Sequence, residues 1–344
     1  MKRFDGFMKG VNLGGWISQC VSYEKEHFDT FITEEDIRQI SEWGLDHVRV
    51  PVDYDIIENE DGSCKEEGYV YIDNCIRWCK NHGLHMVLDL HKTYGYSFDP
   101  LDHGNLEEFF SNEKQQERFI KLWKEISGRY GAYSDTVAFE LLNEIVSPSV
   151  ADAWNEIANR TIAAIRETAK DSYVIYGGVC YNNVTSVKLL AKPYDDKVVY
   201  NFHFYEPLTF THQKAYWVEG MTSDFELGYP DTKEKYMENS SMLSNELVGA
   251  LKEFSLDHVD RRFMEAMMMP AVEAAEKNGA YLYCGEYGVI DQAPLPDTLR
   301  WFEDIHATFE KYGIGRACWN YKQKDFGLID AHYHEIQADL IKNL

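Results

Sequence analysis

The regular alternation of short apolar runs with helix-forming segments constrains the fold of this chain more than any other feature. Eight runs rich in β-branched and aromatic residues recur along the sequence, and each has the length and composition of a buried strand. They cover residues 7–12, 46–51, 85–91, 137–144, 173–178, 198–205, 281–286 and 315–319. Segments with helical periodicity lie in most of the gaps, at 33–43, 68–82, 112–130, 151–168, 265–277 and 298–312. Such an alternation predicts a parallel sheet whose strands are connected by helices.

The number of strands and the lack of a dinucleotide motif distinguish a closed barrel from an open sheet. The segment after the first strand, Asn12-Leu-Gly-Gly-Trp16, has two glycines but not the spacing of a dinucleotide-binding turn. The sequence also contains no P-loop, HExxH or EF-hand pattern. We therefore predict a single α/β domain over residues 1–344, a (β/α)₈ TIM barrel that needs no cofactor and no metal.

One gap is much longer than the others. About sixty residues separate Tyr205 from the helix that begins near Glu265, whereas such a loop usually takes a handful. The stretches 211–217 and 241–254 within it look partly helical. We predict an inserted, partly helical subdomain at 206–264, between strand 6 and helix 6, that lies over the active face as a lid.

The composition limits the partners of the protein. Its net charge of −24 leaves no cationic surplus for nucleic acid or for an anionic membrane surface, whereas a neutral glucan is compatible with it. Aromatic residues make up 14% of the chain, which favours a carbohydrate ligand because sugar rings stack on aromatic side chains. The odd number of cysteines, 7, predicts reduced thiols, and the N-terminus shows no apolar signal segment. We expect a monomer that is cytoplasmic, or secreted with a leader that this sequence does not include.

Two carboxylates stand at the ends of two predicted strands. Glu144 ends the fourth strand and Glu286 ends the seventh. In a closed barrel the carboxyl ends of all strands meet at one face, where the active sites of such folds lie. Paired carboxylates that face one bond can act as acid and nucleophile on an acetal, which is the chemistry of glycoside cleavage.

Further polar and aromatic residues occupy the same ends of other strands. They are Arg49, His91, Asn143, His203, Tyr205 and Trp319. Each has an ordinary structural explanation when it is considered alone, such as a paired charge or a buried histidine. Their shared position at the ends of different strands instead predicts one site.

Together with Glu144 and Glu286, these six residues make a set of eight. The set and its order along the chain resemble the active-site residues of glycoside hydrolase family 5. The segments Gly10-Val-Asn-Leu-Gly-Gly-Trp16 and Phe210-Thr-His-Gln213 resemble further segments of glucanases in this family. The predicted insertion is similar to that of its small clostridial endoglucanases. Two positions depart from the family pattern: Ile145 stands where proline is common, and Lys92 stands where many members have a second histidine. Lys92 could therefore alter the substrate preference.

The resemblance implies a retaining double displacement through a glycosyl-enzyme intermediate. Glu144 is then the general acid and base, and Glu286 is the nucleophile. The acid must stay protonated near neutral pH, which requires burial or a neighbouring negative charge. The nucleophile must stay ionised, and Arg49 and Tyr205 are the expected cation and donor beside it. Asn143 is expected to bind the sugar 2-hydroxyl group.

The remaining residues of the set are expected to shape the cleft. His91 and His203 would bind hydroxyl groups or orient the carboxylates, and Trp319 would form an aromatic floor. Trp16 and Trp217 are candidate outer platforms for sugar rings, although packing in the core or in the lid explains them nearly as well.

Glu140 is interpreted as a supporting residue. Strand alternation places it on the inner side of the barrel, deeper than Glu144. A buried carboxylate needs a partner, and Arg49 is the expected one.

The residues leave several functions open. The leading one is an endo-β-glucanase that cuts β-1,4 bonds in cellulose-like or mixed-linkage β-1,3-1,4-glucan. Within the same family, an exo-β-1,3-glucanase or β-glucosidase and a β-mannanase are alternatives. A metal-dependent barrel hydrolase could use His91, His203, Glu144 and Glu286 as ligands, but no His-x-His pattern on a strand supports one. A non-catalytic carbohydrate-binding barrel would have no use for both glutamates.

Overall fold

Parallel strands close into a barrel in the computed structural model, which describes residues 1–99, 102, 107–240, 243, 249 and 251–344. The strands are β1 (Lys9–Asn12), β2 (His47–Asp53), β3 (His85–Lys92), β4 (Val137–Glu140), β5 (Val174–Gly177), β6 (Val198–Phe204), β7 (Asp231–Thr232), β8 (His258–Val259), β9 (Tyr281–Tyr287) and β10 (Gly315–Cys318). All but β7 and β8 form the barrel, in the order β1-β10-β9-β6-β5-β4-β3-β2. Because helices alternate with these strands, the predicted (β/α)₈ TIM barrel is confirmed.

Most barrel strands are connected by α-helices. The α-helices are Lys25–Thr30, Glu34–Glu42, Tyr54–Ile57, Glu66–His82, Glu108–Ser111, Glu113–Tyr130, Ala151–Ile165, Leu208–Thr211, Lys233–Asn239, Arg261–Asn278, Leu295–Tyr312 and Gln337–Lys342. All the predicted helices are present, with ends within about one turn of those predicted. A 3₁₀ helix, Val184–Leu189, connects β5 and β6 instead of an α-helix. In the described part of the chain, no helix is long and apolar enough to cross a membrane.

Capping residues explain where one long helix ends and where another begins. Gly83 ends the Glu66–His82 helix with a φ of 71°, a left-handed conformation that glycine adopts without steric cost. The Arg261–Asn278 helix begins one turn earlier than predicted. Asp260 caps it, because its side chain accepts a hydrogen bond from the backbone N–H of Arg262 at 2.9 Å.

Aromatic side chains close the N-terminal end of the barrel. The rings of Phe4 and Phe7 stack with their centroids 4.3 Å apart, and both side chains are buried. They pack against apolar residues from several strands: Val87, Ala138, Ile175, Val199, Tyr283 and Ala317. We call this cluster of eight residues the apolar base, and it fills the barrel at that end.

The barrel interior beyond the apolar base is polar. Asn12, Arg49, Glu140 and Asn201 are all fully buried there. Asn201 Nδ2 donates to Glu140 Oε1 at 2.8 Å, and Asn12 Nδ2 donates to the carbonyl oxygen of Gly285 at 2.9 Å. These inward side chains satisfy one another and support the carboxyl ends of the strands.

The fourth strand is shorter than predicted. β4 ends at Glu140, and the chain that follows is irregular as far as Glu144. It still follows the neighbouring strand, because the backbone N–H of Asn143 donates to the carbonyl oxygen of Leu90 at 3.1 Å. Glu144 therefore reaches the mouth of the barrel on an extension of β4 and not on the strand itself.

The described part of the segment 206–264 includes the helices Leu208–Thr211 and Lys233–Asn239, helical residues at 251–253, and the antiparallel pair of β7 and β8. Part of it packs on the outside of the barrel, where the hydroxyl group of Tyr229 donates to Asp304 of the Leu295–Tyr312 helix at 2.8 Å. The predicted helical stretch 241–254 falls partly outside the described residues. The limits of an inserted subdomain remain a prediction.

Candidate active site

A cleft of about 550 Å³ opens at the carboxyl ends of the barrel strands. Most of the predicted site residues line it, namely His91, Asn143, Glu144, Tyr205, Trp217, Glu286 and Trp319. Arg49 and His203 are also part of this arrangement, since each contacts one of the two glutamates. The structure therefore brings together every predicted site residue except Trp16.

The two glutamates face each other in this cleft. A carboxylate oxygen of Glu144 lies within 4.8 Å of a carboxylate oxygen of Glu286. Carboxyl groups stand roughly 6.5–9.5 Å apart in inverting glycosidases and roughly 5–5.5 Å apart in retaining ones. The separation in this cleft is shorter than the inverting range and fits the retaining arrangement.

Two donors hold the carboxylate of Glu286. Arg49 Nη1 donates to Oε1 at 2.8 Å, and the Tyr205 hydroxyl group donates to Oε2 at 2.9 Å. Burial raises the pKa of Glu286, but the Arg49 guanidinium and the Tyr205 hydrogen bond oppose this rise. Because both oxygens accept hydrogen bonds, Glu286 is the member of the pair that ionises first.

Glu144 has a different environment. His203 Nδ1 lies 2.8 Å from Glu144 Oε1, and burial lowers the pKa of His203 well below its usual range, so the imidazole is neutral. Burial also raises the pKa of Glu144 well above its usual range, and the nearby charge of Glu286 raises it further. Glu144 is therefore the member of the pair that keeps its proton, as a general acid requires.

Arg49 is the centre of the charge network beneath the cleft. Its Nε and Nη2 atoms donate to the two oxygens of Glu140 at 2.7 and 2.8 Å, which is the predicted pair. Its Nη2 atom also lies 3.0 Å from Asp89 Oδ2. Burial raises the pKa of Asp89 to about 7, and it raises the pKa of Glu140 to about 7 as well. Since these acids fix the guanidinium from below, its remaining edge is aimed at Glu286.

Asn143 is oriented by the same guanidinium. Arg49 Nη2 donates to Asn143 Oδ1 at 2.8 Å. The amide oxygen is thereby occupied, and the NH₂ group is left as the donor that Asn143 can offer to a hydroxyl group in the cleft.

Trp319 and His91 form one wall of the cleft. Their rings are parallel, with an interplanar angle of 2° and centroids 5.9 Å apart. The sequence permits this because a Cβ atom at Gly14 would lie only 2.4 Å from the Trp319 ring. A glycine is therefore needed at that place in the segment Asn12-Leu-Gly-Gly-Trp16.

The proposed platform role of Trp16 is wrong. Trp16 is fully buried, its indole N–H donates to the carbonyl oxygen of Phe28 at 2.8 Å, and its ring stacks on Trp78. It packs behind the barrel wall, in the core. The amphipathic ring of a tryptophan suits either place, and the sequence alone contained no contact that would decide between them.

Trp217 lies at the rim of the cleft with 39% of its surface exposed. Its ring is nearly perpendicular to that of Tyr216, with centroids 4.8 Å apart, and it also packs edge-on against His212. His212 in turn contacts the ring of Tyr205. A role of Trp217 as a sugar platform remains a prediction.

Several residues that line the cleft were not among the predicted ones. They are Gln19, Cys20, Tyr23, Asp53, Lys92, Phe98, Asp99, Asp102, His212, Tyr216, Lys324, Asp325 and Phe326. Most lie on loops, where no periodic pattern marks them. Two signals were present in the sequence: His212 belongs to the segment Phe210-Thr-His-Gln213, and Lys92 departs from the family pattern.

The donor atoms of Glu144, His203 and Glu286 are close enough to share a metal ion. However, the positive guanidinium of Arg49 lies 2.8 Å from one Glu286 oxygen, and the Tyr205 hydroxyl group occupies the other. A divalent cation would be repelled by the first and would have to displace the second. The arrangement therefore suits proton transfer and nucleophilic attack better than metal binding.

The closed barrel and the paired carboxylates at its mouth define the class of this protein, a (β/α)₈ glycoside hydrolase. Residues 8–325 match the model of the Cellulase family, glycosyl hydrolase family 5. The chain belongs to this family, as its eight-residue set predicts.

Known relatives extend over nearly the whole chain. Endoglucanase C of Acetivibrio thermocellus is 42% identical over 341 residues, which cover 98% of each protein. Cellodextrinase A of Ruminococcus flavefaciens is 43% identical over 319 residues, 92% of this chain and 86% of that protein. The crystal structure of endoglucanase Cel5A from Thermotoga maritima has 25% sequence identity and a TM-score of 0.74, and the match covers 98% of this chain and 97% of that one.

Proposed function

We propose that this protein is a retaining endo-β-glucanase that hydrolyses β-1,4 bonds in cellulose-like or mixed-linkage β-1,3-1,4-glucan. The observation that carries the proposal is the pair of Glu144 and Glu286, which face each other within 4.8 Å and have opposed electrostatic environments. Glu144 keeps a proton, and Glu286 is held ionised by Arg49 and Tyr205.

In the first step Glu144 transfers its proton to the glycosidic oxygen. A carboxylate oxygen of Glu286 attacks the anomeric carbon, and the bond between that carbon and the glycosidic oxygen breaks. The products are a free reducing-end sugar and a glycosyl ester on Glu286. Asn143 offers its amide NH₂ group to the 2-hydroxyl group, a contact that strengthens in the transition state.

In the second step Glu144 acts as a base. The ester on Glu286 carries no charge, so one of the causes that raises the pKa of Glu144 is removed. Glu144 then accepts a proton from a water molecule, which attacks the anomeric carbon and releases Glu286 as a carboxylate. The same pair of residues is thereby restored to its starting protonation states.

The names of the relatives support β-glucan as the substrate. Endoglucanase C matches this chain over 98% of its length, whereas the fungal proteins named probable glucan 1,3-beta-glucosidase A are 27% identical over only 45% of it. Within the segment 206–264, Tyr229 packs on the outside of the barrel, whereas His212, Tyr216 and Trp217 line the cleft.

A second candidate is a cellodextrinase that acts on short soluble chains, since a relative with that name is 43% identical. Viscometry and product analysis on mixed-linkage glucan, carboxymethyl cellulose, laminarin, mannan and cellopentaose distinguish the candidates. We expect a rapid fall in the viscosity of the first two polymers and mixed short oligosaccharides. Activity on cellopentaose with persistent viscosity would favour the cellodextrinase, and glucose alone from laminarin would favour the exo-β-1,3 alternative. Preference for mannan would contradict a β-glucanase.

A further inference from the structure

Asp89 is a buried carboxylate whose bonds are all made by one oxygen. Its Oδ2 atom lies 2.6 Å from His91 Nδ1 and 3.0 Å from Arg49 Nη2. Its Oδ1 atom is buried and has no hydrogen-bond partner in the described part of the chain. A buried polar atom without a partner is costly, so a residue with one needs an explanation beyond packing.

The geometry at Oδ2 decides which partner donates. The positive charge of Arg49 lies 3.0 Å from Oδ2, so a proton on Oδ2 is disfavoured. Oδ2 therefore accepts a hydrogen bond from His91, and His91 must carry its proton on Nδ1. Burial, with a smaller contribution from Arg49, lowers the pKa of His91 to about 3, so the ring is neutral and holds only one proton.

The other nitrogen of His91 is the one that can meet a ligand in the cleft. The ring lies between the parallel face of Trp319 and the perpendicular ring of Phe98, whose centroid is 4.9 Å away. His91 lines the cleft, and among the described residues its Nε2 atom has no hydrogen-bond partner. With the proton on Nδ1, Nε2 is an acceptor.

We propose that Asp89 is a positioning residue that fixes the tautomer of His91, so that His91 accepts a hydrogen bond from a substrate hydroxyl group and cannot donate one. Asp89 does not touch the cleft itself and reaches the substrate through His91, while its contact with Arg49 supports the guanidinium. The substrate part of this inference rests on the proposed glucanase function, whereas the tautomer does not.

The tautomer is measured directly by ¹⁵N NMR of the enzyme labelled at its histidines, and the His91 signals are those missing from the H91Q spectrum. We expect a protonated Nδ1 and an unprotonated Nε2 in the wild-type protein without ligand. A proton on Nε2 would overturn the proposal. This measurement needs no substrate, so it stands even if the glucan assignment fails.

Two variants separate tautomer control from charge. Asp89→Asn removes the negative charge but keeps an acceptor oxygen, which Arg49 holds in the place of Oδ2. Asp89→Ala removes both. We expect Asp89→Asn to keep the Nδ1 proton and a kcat/KM on cellotetraose within about threefold of wild type, and Asp89→Ala to lose the Nδ1 preference and roughly tenfold or more in kcat/KM. Equal losses in the two variants would show that only the charge of Asp89 matters and would contradict the proposal.

A double-mutant comparison excludes a merely structural effect. In the His91→Ala background, Asp89→Ala should cause a much smaller loss of kcat/KM than in the wild-type background, because His91 is gone and only the support of Arg49 is left to lose. A further tenfold loss there would overturn the proposal. If Asp89→Ala does not fold, the wild-type and Asp89→Asn spectra still decide the tautomer.

Discussion

The two ends of this barrel differ in the chemistry of their buried side chains. At the apolar base, the rings of Phe4 and Phe7 pack against side chains from the strands, and no charged residue belongs to the cluster. At the mouth, Arg49 is bonded to Glu286, the Glu144 carboxylate lies within 4.8 Å of that of Glu286, and these charged groups are mostly buried. Packing favours the base, whereas the mouth holds charges whose burial opposes folding unless they are paired.

Buried polar groups occur at both ends. Near the base, both ring nitrogens of His47 are bonded, one to Asp46 at 2.7 Å and the other to Tyr283 at 2.8 Å, whereas His85 Nδ1, beside Phe7, is buried without a partner in the described part of the chain. At the mouth, Asp89 Oδ1 and His203 Nε2 are buried and likewise lack partners in the described residues. The two ends therefore differ mainly in the buried charges of the mouth, which hold reactive groups in place at a cost in stability.

The largest effect expected from the mouth is that of Glu286→Gln. Removal of the nucleophile should lower kcat roughly 10⁵-fold, while the similar shape of glutamine should leave the Kd for cellotetraose nearly unchanged. Kinetics and titration calorimetry check the two parts. Glu303→Gln, on an exposed face of the Leu295–Tyr312 helix, is the matched control. Substantial remaining activity in Glu286→Gln would show that another residue forms the intermediate.

Replacement of the acid should have a smaller and substrate-dependent effect. Glu144→Gln should lower kcat/KM on cellotetraose roughly 10³-fold, but much less on an aryl cellobioside whose leaving group needs no proton. Because Glu144 works in its protonated form, wild-type activity should fall as the pH rises through its raised pKa, and Glu144→Gln should lose this alkaline limb. Equal losses on both substrates would contradict the assignment of Glu144 as the acid.

A substitution in the apolar base should lower stability and leave activity nearly unchanged. Phe4→Ala should lower the free energy of unfolding by about 3–5 kcal/mol, because it leaves a cavity in the apolar base. Its kcat should stay within about twofold of wild type, since the cleft is at the other end of the barrel. Urea unfolding and steady-state kinetics test this pair of outcomes. A large loss of kcat with unchanged stability would break the division between the two ends.

The smallest expected effect concerns Glu206, whose ionisation near the mouth should lower the free energy of unfolding. Burial raises its pKa to about 7, and its side chain accepts hydrogen bonds from Asn183 and from the backbone of Leu208 at 3.3 Å. An acid whose pKa is raised in the folded state binds more protons there than in the unfolded state, so its contribution to stability falls as the pH rises from about 4.5 to about 7. Relative to wild type, Glu206→Gln should therefore gain roughly 3 kcal/mol between pH 4.5 and pH 8.

Urea unfolding of both proteins at the two pH values measures this gain. If the stability difference between variant and wild type were the same at pH 4.5 and at pH 8, ionisation of Glu206 would not destabilise the folded protein.

The sequence predicts the mouth well because its residues follow local rules. His91 and Glu286 each stand near the end of a strand, and a closed barrel brings such ends together whatever the loops do, whereas Arg49 lies in the middle of β2 and reaches Glu286 with its long side chain. The pair of Arg49 and Glu140 could also be predicted, since strand alternation points both inward and buried charges need partners.

Tertiary contacts explain what the sequence did not reveal. Trp16 is buried because it donates a hydrogen bond to the carbonyl oxygen of Phe28 and stacks on the ring of Trp78. Neither contact is marked by a periodic pattern in the sequence. Lys324 lies in the cleft because residues 323–325 all adopt left-handed conformations, which no local pattern in a lysine-containing loop predicts. The role of Asp89 depends on two distances that only the folded chain provides.

The division of roles between Glu144 and Glu286 is tested most directly by trapping the intermediate. A 2-deoxy-2-fluoro cellobioside with a dinitrophenyl leaving group forms the glycosyl ester but hydrolyses it slowly, and peptide mass spectrometry then identifies the modified residue. We predict a single fluorocellobiosyl ester on Glu286 and none on Glu144. An adduct on Glu144, or turnover without any ester and with inversion at the anomeric carbon, would contradict the assignment.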